Sequence, residues 1–77
     1  MKVYDFLTKN IEVVRKMVCI GAVPATYLRY YEIYCVYQSA NNLKQKMERY
    51  NFTADVARTS TLTVQKAVRV MESKVKS

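Results

Sequence analysis

The sequence predicts a small all-α domain, and three observations support this fold class. Its 77 residues include one glycine and one proline, too few for the turns of a β-sandwich or barrel. Hydrophobic residues make up 51% of the chain, which is too apolar for a disordered segment. Apolar positions recur at the ~100° spacing of α-helices along most of the length. Because a chain this short forms one core, we expect a single four-helix domain over residues 1–77.

The first predicted helix covers residues 3–20 and is amphipathic. One broad arc is apolar, and the charged side chains lie opposite it. Gly21 is typical of a helix end, and Pro24 is typical of the first turn of the next helix. The apolar arc contains Val3, Phe6, Leu7, Ile11, Val13, Val14, Met17 and Val18.

The second predicted helix covers residues 24–40 and is apolar on nearly every side. Five of the seven tyrosines lie in it. Such a helix is either central to its fold or buried in an oligomer. We favour a wide core helix, and a dimer interface on this surface is the alternative. The helix is expected to end at Asn41 and Asn42.

Residues 42–57 form the third predicted helix. Asn42 precedes Gln45 by three positions, the spacing of a capping box. Phe52 and Val56 point away from the apolar side of this helix and fit no single inward face. They are therefore candidates for contact with the first two helices or with a partner.

The last predicted helix covers residues 60–75. Ser60 is a good N-cap residue, because its hydroxyl can accept from free amides of the first turn. An apolar stripe follows, formed by Val64, Ala67, Val68, Met71 and Val75. The opposite face carries Leu62, Gln65, Lys66, Arg69 and Ser73, with Thr61 at its N-terminal flank.

The positive charge is concentrated in the second half of the chain. The net charge is +7, from 13 Lys and Arg against 6 Asp and Glu. Residues 1–38 carry five basic and three acidic side chains, and residues 39–77 carry eight and three. This asymmetry favours nucleic acid as a partner, with an acidic membrane surface second.

The outer face of the last helix has the chemistry of a DNA-reading helix. The major groove admits one α-helix, whose N-terminal part reads base edges. Arg pairs with guanine, Gln pairs with adenine, and apolar groups meet the thymine methyl. The expected base-facing residues are Thr61, Leu62, Gln65, Lys66 and Arg69. The expected phosphate-facing residues are Lys44, Lys46, Arg49, Arg58, Thr59 and Ser60.

The stretch "TADVARTSTLTVQKAVRVME" resembles the core of small bacterial and phage helix-turn-helix proteins. The pattern is carried by Ala54 in the first helix, Ser60 and Thr63-Val64 at the start of the second, then Ala67-Val68 and Met71. The resemblance covers residues 42–76, and it implies that residues 1–40 supply supporting helices and that Val64 fixes the angle between the last two. The family commonly has glycine and then an apolar residue at the turn, where this chain has Arg58 and Thr59. A left-handed residue other than glycine costs about 1 kcal/mol.

Several other classes of protein fit the sequence poorly. Without histidine or a glycine-rich loop, the chain lacks the usual bases, metal ligands and phosphate cradles, so we expect no enzyme, metal or cofactor. Cys19 and Cys35 lie in apolar stretches and are expected to be buried, reduced thiols of a cytoplasmic protein. The longest apolar run is too short to span a membrane, and no Trp is present for an interface anchor, so we expect no membrane partner and no small-molecule substrate.

The expected function is binding of double-stranded DNA by a small transcriptional regulator or an accessory protein of a mobile element. We also expect a homodimer, since two-fold proteins read two half-sites. Its interface would lie on the tyrosine-rich helix or on the N-terminal helix. The alternative function is a protein–protein interaction module that keeps the helix-turn-helix shape without binding DNA.

Overall fold

The computed structural model describes residues 1–75, and within this range it contains five α-helices. They are α1 (Val3–Lys9), α2 (Ile11–Cys19), α3 (Thr26–Ser39), α4 (Lys46–Ala57) and α5 (Thr61–Glu72). The described residues form no strand, and their one β element is an isolated antiparallel bridge between Lys2 and Lys74. The all-α class is therefore confirmed. The predicted count of four is wrong, because residues 3–20 form two helices.

The break between α1 and α2 occurs at Asn10. Its backbone leaves the helical region (φ −120°, ψ 22°), and its side-chain amide donates to the carbonyl of Phe6 at 2.9 Å. An asparagine side chain that bonds to the backbone in this way competes with the regular helix. The predicted apolar arc is therefore split. Only Leu7 and Val14 from that arc are buried, while Phe6, Val13 and Met17 remain exposed.

The tyrosine-rich helix α3 lies at the centre of the fold. Its Ile33, Tyr34 and Tyr37 are buried, and it packs against both α4 and α5. Arg29 of α3 donates to the Ala57 carbonyl at the end of α4, while Arg49 of α4 donates to the Tyr37 carbonyl at 2.8 Å. These two contacts show that α3 and α4 run antiparallel. The prediction that α3 is a core helix is therefore confirmed, because one side of it is buried.

Tyr34 combines a buried ring with a satisfied hydroxyl. The hydroxyl donates to Glu72 of α5 at 3.0 Å and accepts from the Gln38 amide at 2.7 Å. Its ring contacts those of Tyr4 and Tyr37, with centroids 4.8 and 5.9 Å apart. Burial, and then the hydrogen bond to the Glu72 carboxylate, raise the pKa of Tyr34 to about 12. The neutral tyrosine thus links α3 to α5 below that pH.

The predicted capping box of α4 does not form. Asn42 lies in the turn after α3, where the Leu43 amide donates to the Ala40 carbonyl at 3.1 Å. The helix instead begins at Lys46, and Gln45 precedes it in an extended conformation with no side-chain cap. Continuation of the turn past Asn42 therefore delays α4 by four residues relative to the prediction.

The two ends of the described chain pair with each other. The Val3 amide donates to the Ser73 carbonyl at 2.8 Å, and the Val75 amide donates to the Met1 carbonyl at 2.9 Å. Ser73 is therefore extended, and α5 ends at Glu72 rather than at the predicted Val75. Lys76, the last residue of the predicted 42–76 unit, lies outside the described residues.

The sequence predicts that both cysteines are buried, and this prediction is wrong. Cys19 is exposed on the outer side of α2, and Cys35 is half-buried; both are free thiols. The apolar neighbours of Cys19 predict burial, but α2 turns much of its apolar surface outward. None of the helices within residues 1–75 has the length and apolar character needed to cross a bilayer.

Candidate nucleic-acid interface

Helix α5 presents one face to the core and the opposite face to solvent. The inner face is formed by Val64, Ala67, Val68 and Met71, all buried, as the periodicity predicted. This stripe packs against α3 and α4. Because four side chains over two turns are fixed this way, the orientation of the outer face is set by the core.

The outer face of α5 is centred on Leu62, Lys66 and Arg69. All three are exposed, and Leu62 is 69% exposed. Thr61 and Gln65 flank this face and are half-buried. The only acidic residue of α5, Glu72, accepts a hydrogen bond from Tyr34. Within residues 1–75, no carboxylate lies within 4 Å of the Lys66 or Arg69 charges, so they face solvent unpaired.

The turn between α4 and α5 is short and well defined. Arg58 has left-handed backbone angles (φ 55°, ψ 52°), the conformation expected where glycine is usual. The Thr59 amide donates to the Ala54 carbonyl at 2.9 Å, and the Arg58 amide donates to the Asp55 carbonyl at 3.3 Å. These two bonds form a Schellman motif. They end α4 and leave the Arg58 side chain exposed at the turn.

Ser60 caps α5 as the sequence predicts. Its hydroxyl accepts from the Thr63 amide at 3.2 Å and lies 3.0 Å from the Thr63 hydroxyl. The amides of Thr61 and Leu62 have no partner inside the helix, because they belong to its first turn. The start of α5 therefore presents two backbone donors at the positive end of the helix dipole.

The predicted phosphate-facing residues do not all lie together. Arg58, Thr59 and Ser60 adjoin the start of α5, whereas Lys46 is at the other end of α4, about 16 Å along the helix axis from the turn. Lys44 precedes α4 at that same far end and is exposed. The structure therefore separates this set into a turn group and a remote group.

Arg49, one turn after Lys46 on α4, turns its guanidinium toward α3. Its guanidinium lies over the Tyr37 ring, 3.8 Å from the centroid, and donates to the Tyr37 carbonyl. Its Nε is buried. A cation held in this way stabilises the contact between α3 and α4 and is not presented to a ligand.

Arg29 belongs near the turn, although the sequence analysis did not select it. Its guanidinium donates to the Ala57 carbonyl, which directly precedes Arg58. It also lies 4.0 Å from the Glu32 carboxylate, and its side chain is about half exposed. The contact joins residues 28 positions apart. No local pattern in the sequence could have indicated it.

Phe52 and Val56 are exposed on α4, 45% and 55% respectively. They lie four residues apart and therefore share one side of the helix. Neither side chain belongs to the buried core, and a contact with a partner stays a prediction.

Comparisons of the chain with protein-family models, with curated proteins and with solved structures found no match. The candidate interface is therefore defined by its own geometry and charge.

Proposed function

We propose that this protein binds double-stranded DNA by inserting the outer face of α5 into the major groove. In this proposal α4, the turn at residues 58–60 and α5 act as a helix-turn-helix. The protein would serve as a small cytoplasmic transcriptional regulator or as an accessory protein of a mobile element, and it would act as a homodimer.

The observation that carries the proposal is the composition of the exposed face of α5. Lys66 and Arg69 project from it without an acidic partner in the described chain, and Gln65 flanks them. A groove-reading helix needs long hydrogen-bond donors on a face held rigidly by the core. Leu62 adds an apolar group of the type that contacts the thymine methyl. In the proposed complex Thr61, Leu62, Gln65, Lys66 and Arg69 face the bases.

The turn supplies the backbone contacts of the proposed complex. A phosphate at the start of α5 would accept from the Thr61 and Leu62 amides, with the Arg58 guanidinium beside it. Thr59 and Ser60 would lie against the same phosphate. Arg29 adds a second guanidinium next to this position, and Lys44 and Lys46 would reach the backbone farther along the duplex.

The test is fluorescence-anisotropy binding of the full chain to a random-sequence duplex pool over a salt series. We expect affinity that falls steeply with salt, because each neutralised phosphate releases counterions. Lys66→Ala/Arg69→Ala should weaken binding to sequences selected from the pool by about 1–3 kcal/mol for each lost base contact and should relax the base preference. The matched control is Lys9→Ala/Arg15→Ala, which removes two exposed charges from α1 and α2.

Two results would count against the proposed role of α5. Equal weakening by the two double variants would show that net charge, not α5, carries the binding. No binding even at low salt would contradict the proposal and favour the second candidate function.

That second candidate is a protein–protein interaction module, and it is favoured by the exposed apolar side chains. Leu62 lies at the centre of the outer face of α5, and Phe52 and Val56 are exposed on α4. Exposed apolar groups on two neighbouring helices are typical of a surface that binds a protein groove or helix. The charge of Lys66 favours DNA over a protein partner, since lysine is depleted at the centre of protein interfaces.

A further inference from the structure

An apolar groove lies on the side of the molecule formed by the N-terminal helices. It has a volume of about 560 Å³ and is lined by α1, α2, the start of α3 and residues 74 and 75. Phe6, Val13, Met17 and Tyr27 line it and are all exposed. None of the residues proposed to face DNA belongs to this groove. A groove this apolar on so small a protein indicates a surface that is covered in the functional state.

Helix α2 is incompletely packed in the single chain. It packs mainly on α1, and Val14 is its only buried residue. Val13 and Met17, which also form one wall of the groove, continue at Ile20 just past the end of α2 into an apolar ridge, and Ile20 is 78% exposed. A helix of nine residues is unstable alone and depends on the packing of its apolar face. The monomer supplies only part of that packing.

We propose that a second copy of this chain fills the groove, forming a two-fold dimer in which the α2 helices pair antiparallel. In such an isologous interface the α2 ridge of one protomer enters the groove of its partner, and the exchange is reciprocal. Because the ridge residues Val13 and Met17 also form one wall of the groove, one contact buries both features. This proposal places the homodimer interface on α2 rather than on the tyrosine-rich α3.

The charges beside the ridge match this arrangement. Glu12 and Lys16 are exposed on the same edge of the ridge, one near each end of α2. Antiparallel helices bring the same edges together, so Glu12 of each protomer faces Lys16 of the other. Within the described chain neither residue forms an ion pair, and both are available for the partner. Opposite charges in this register specify a self-complementary pair.

A bilayer surface is a poorer occupant than a second copy. The groove is concave, whereas a bilayer covers a convex apolar face such as a single helix lying in the interface. The contact of a second copy is limited to α1, α2 and nearby residues, so we expect a weak dimer with a dissociation constant on the order of micromolar.

The experiment is sedimentation velocity of the full chain from about 1 to 500 μM, with Val13→Asp as the test variant. Val13 is 57% exposed in the monomer, so the substitution should leave the helicity measured by circular dichroism unchanged. We expect concentration-dependent dimerisation of the parent chain and a monomer for Val13→Asp. The matched control is Val56→Asp, since Val56 is 55% exposed but lies on α4, outside the groove. That variant should still dimerise.

A charge exchange tests the register independently. Glu12→Lys and Lys16→Glu should each weaken the dimer at least about tenfold, because like charges then face each other. The double exchange should restore it. A parent chain that stays monomeric at every concentration would overturn the proposal, as would dissociation by Val56→Asp and not by Val13→Asp. A monomer that binds anionic vesicles through Val13 would assign the groove to a membrane instead.

The outcome is separable from that of the DNA experiment. Loss of DNA binding in Lys66→Ala/Arg69→Ala leaves the α2 groove intact, and Val13→Asp leaves the α5 face intact. A dimer without DNA binding would therefore support this inference while contradicting the proposed function.

Discussion

Thr53 places a hydroxyl group in the interior without a hydrogen bond. The residue is fully buried on α4, and its Oγ1 has no partner among residues 1–75. A buried polar atom left unsatisfied costs roughly 1–3 kcal/mol, whereas an apolar group of the same shape loses nothing there. Valine has that shape. Thr53 therefore lowers the free energy of unfolding of the domain. The helical period of the sequence does not identify position 53 as buried.

We expect Thr53→Val to raise the free energy of unfolding by about 1 kcal/mol. Urea unfolding followed by circular dichroism measures it. Thr63→Val is the matched control: the Thr63 hydroxyl lies 3.0 Å from Ser60 Oγ at the cap of α5, so its removal should lower stability. A loss of stability in Thr53→Val would show that the hydroxyl is hydrogen-bonded in solution.

Two arginine side chains make contacts that the sequence does not predict. Arg29 and Arg49 both donate to carbonyl oxygens at the ends of neighbouring helices. Their partners are 28 and 12 residues away, and only the antiparallel packing of α3 and α4 brings them together. The sequence predicts Arg49 as a phosphate-facing cation, because local periodicity contains no information about such contacts. In contrast, Ser60 acts on amides three residues away, and its role as a cap was predicted correctly.

At the scale of elements, the turn between α4 and α5 contains a built-in strain. Arg58 adopts a left-handed conformation in which a Cβ atom is unfavourable, and glycine is the usual residue at this position of a Schellman motif. The motif nevertheless forms, because both of its backbone hydrogen bonds are made. The exposed guanidinium is thus retained at a conformational cost.

Arg58→Gly should stabilise the domain by about 1 kcal/mol, since it removes the Cβ from the left-handed position. Thermal unfolding of both proteins gives the difference. Arg58→Lys keeps the charge and the strain, and its stability should equal that of the parent. If the glycine variant is no more stable, the turn does not adopt the left-handed conformation in solution. Under the proposed function, the same glycine variant binds DNA more weakly although it is more stable.

The elements themselves were predictable to different degrees. Helix α5 and its inner face followed from a strong apolar period and a good cap, and Gly21 was correctly read as a helix end, with φ +80°. The break at Asn10 was missed, because the apolar period continues through it while the side chain bonds back to Phe6. The start of α4 was placed too early, since the turn after Ala40 continues past Asn42. A side-chain hydrogen bond of Asn10 explains the first difference, and a backbone hydrogen bond from Leu43 to Ala40 explains the second.

At the scale of the whole molecule, packing is uneven between the two parts of the chain. Helices α3, α4 and α5 share the buried core, whereas α2 contributes Val14 alone. Elements with few buried apolar side chains open at a lower free-energy cost than the core. The N-terminal part therefore depends on further contacts for its stability.

Hydrogen exchange should reveal this difference. In dilute samples, amides of α2 are expected to exchange roughly tenfold or more faster than those of the buried face of α5. Exchange followed by NMR or mass spectrometry provides the comparison, with α3 as an internal reference for the core. Equal protection of α2 and α5 would contradict the uneven packing.

The pairing of residues 1–3 with residues 73–75 determines where fused segments would emerge. Val3 and Val75 both line the apolar groove, so an affinity tag attached before Met1 starts beside it. A bulky fusion at one end would obstruct that groove while leaving the α5 face open. A circular permutant is the alternative: a short linker joins the adjacent ends, and new ends are opened in the exposed turn around Asn41 and Asn42. In such a chain the label is attached near residues 41 and 42, which do not line the groove.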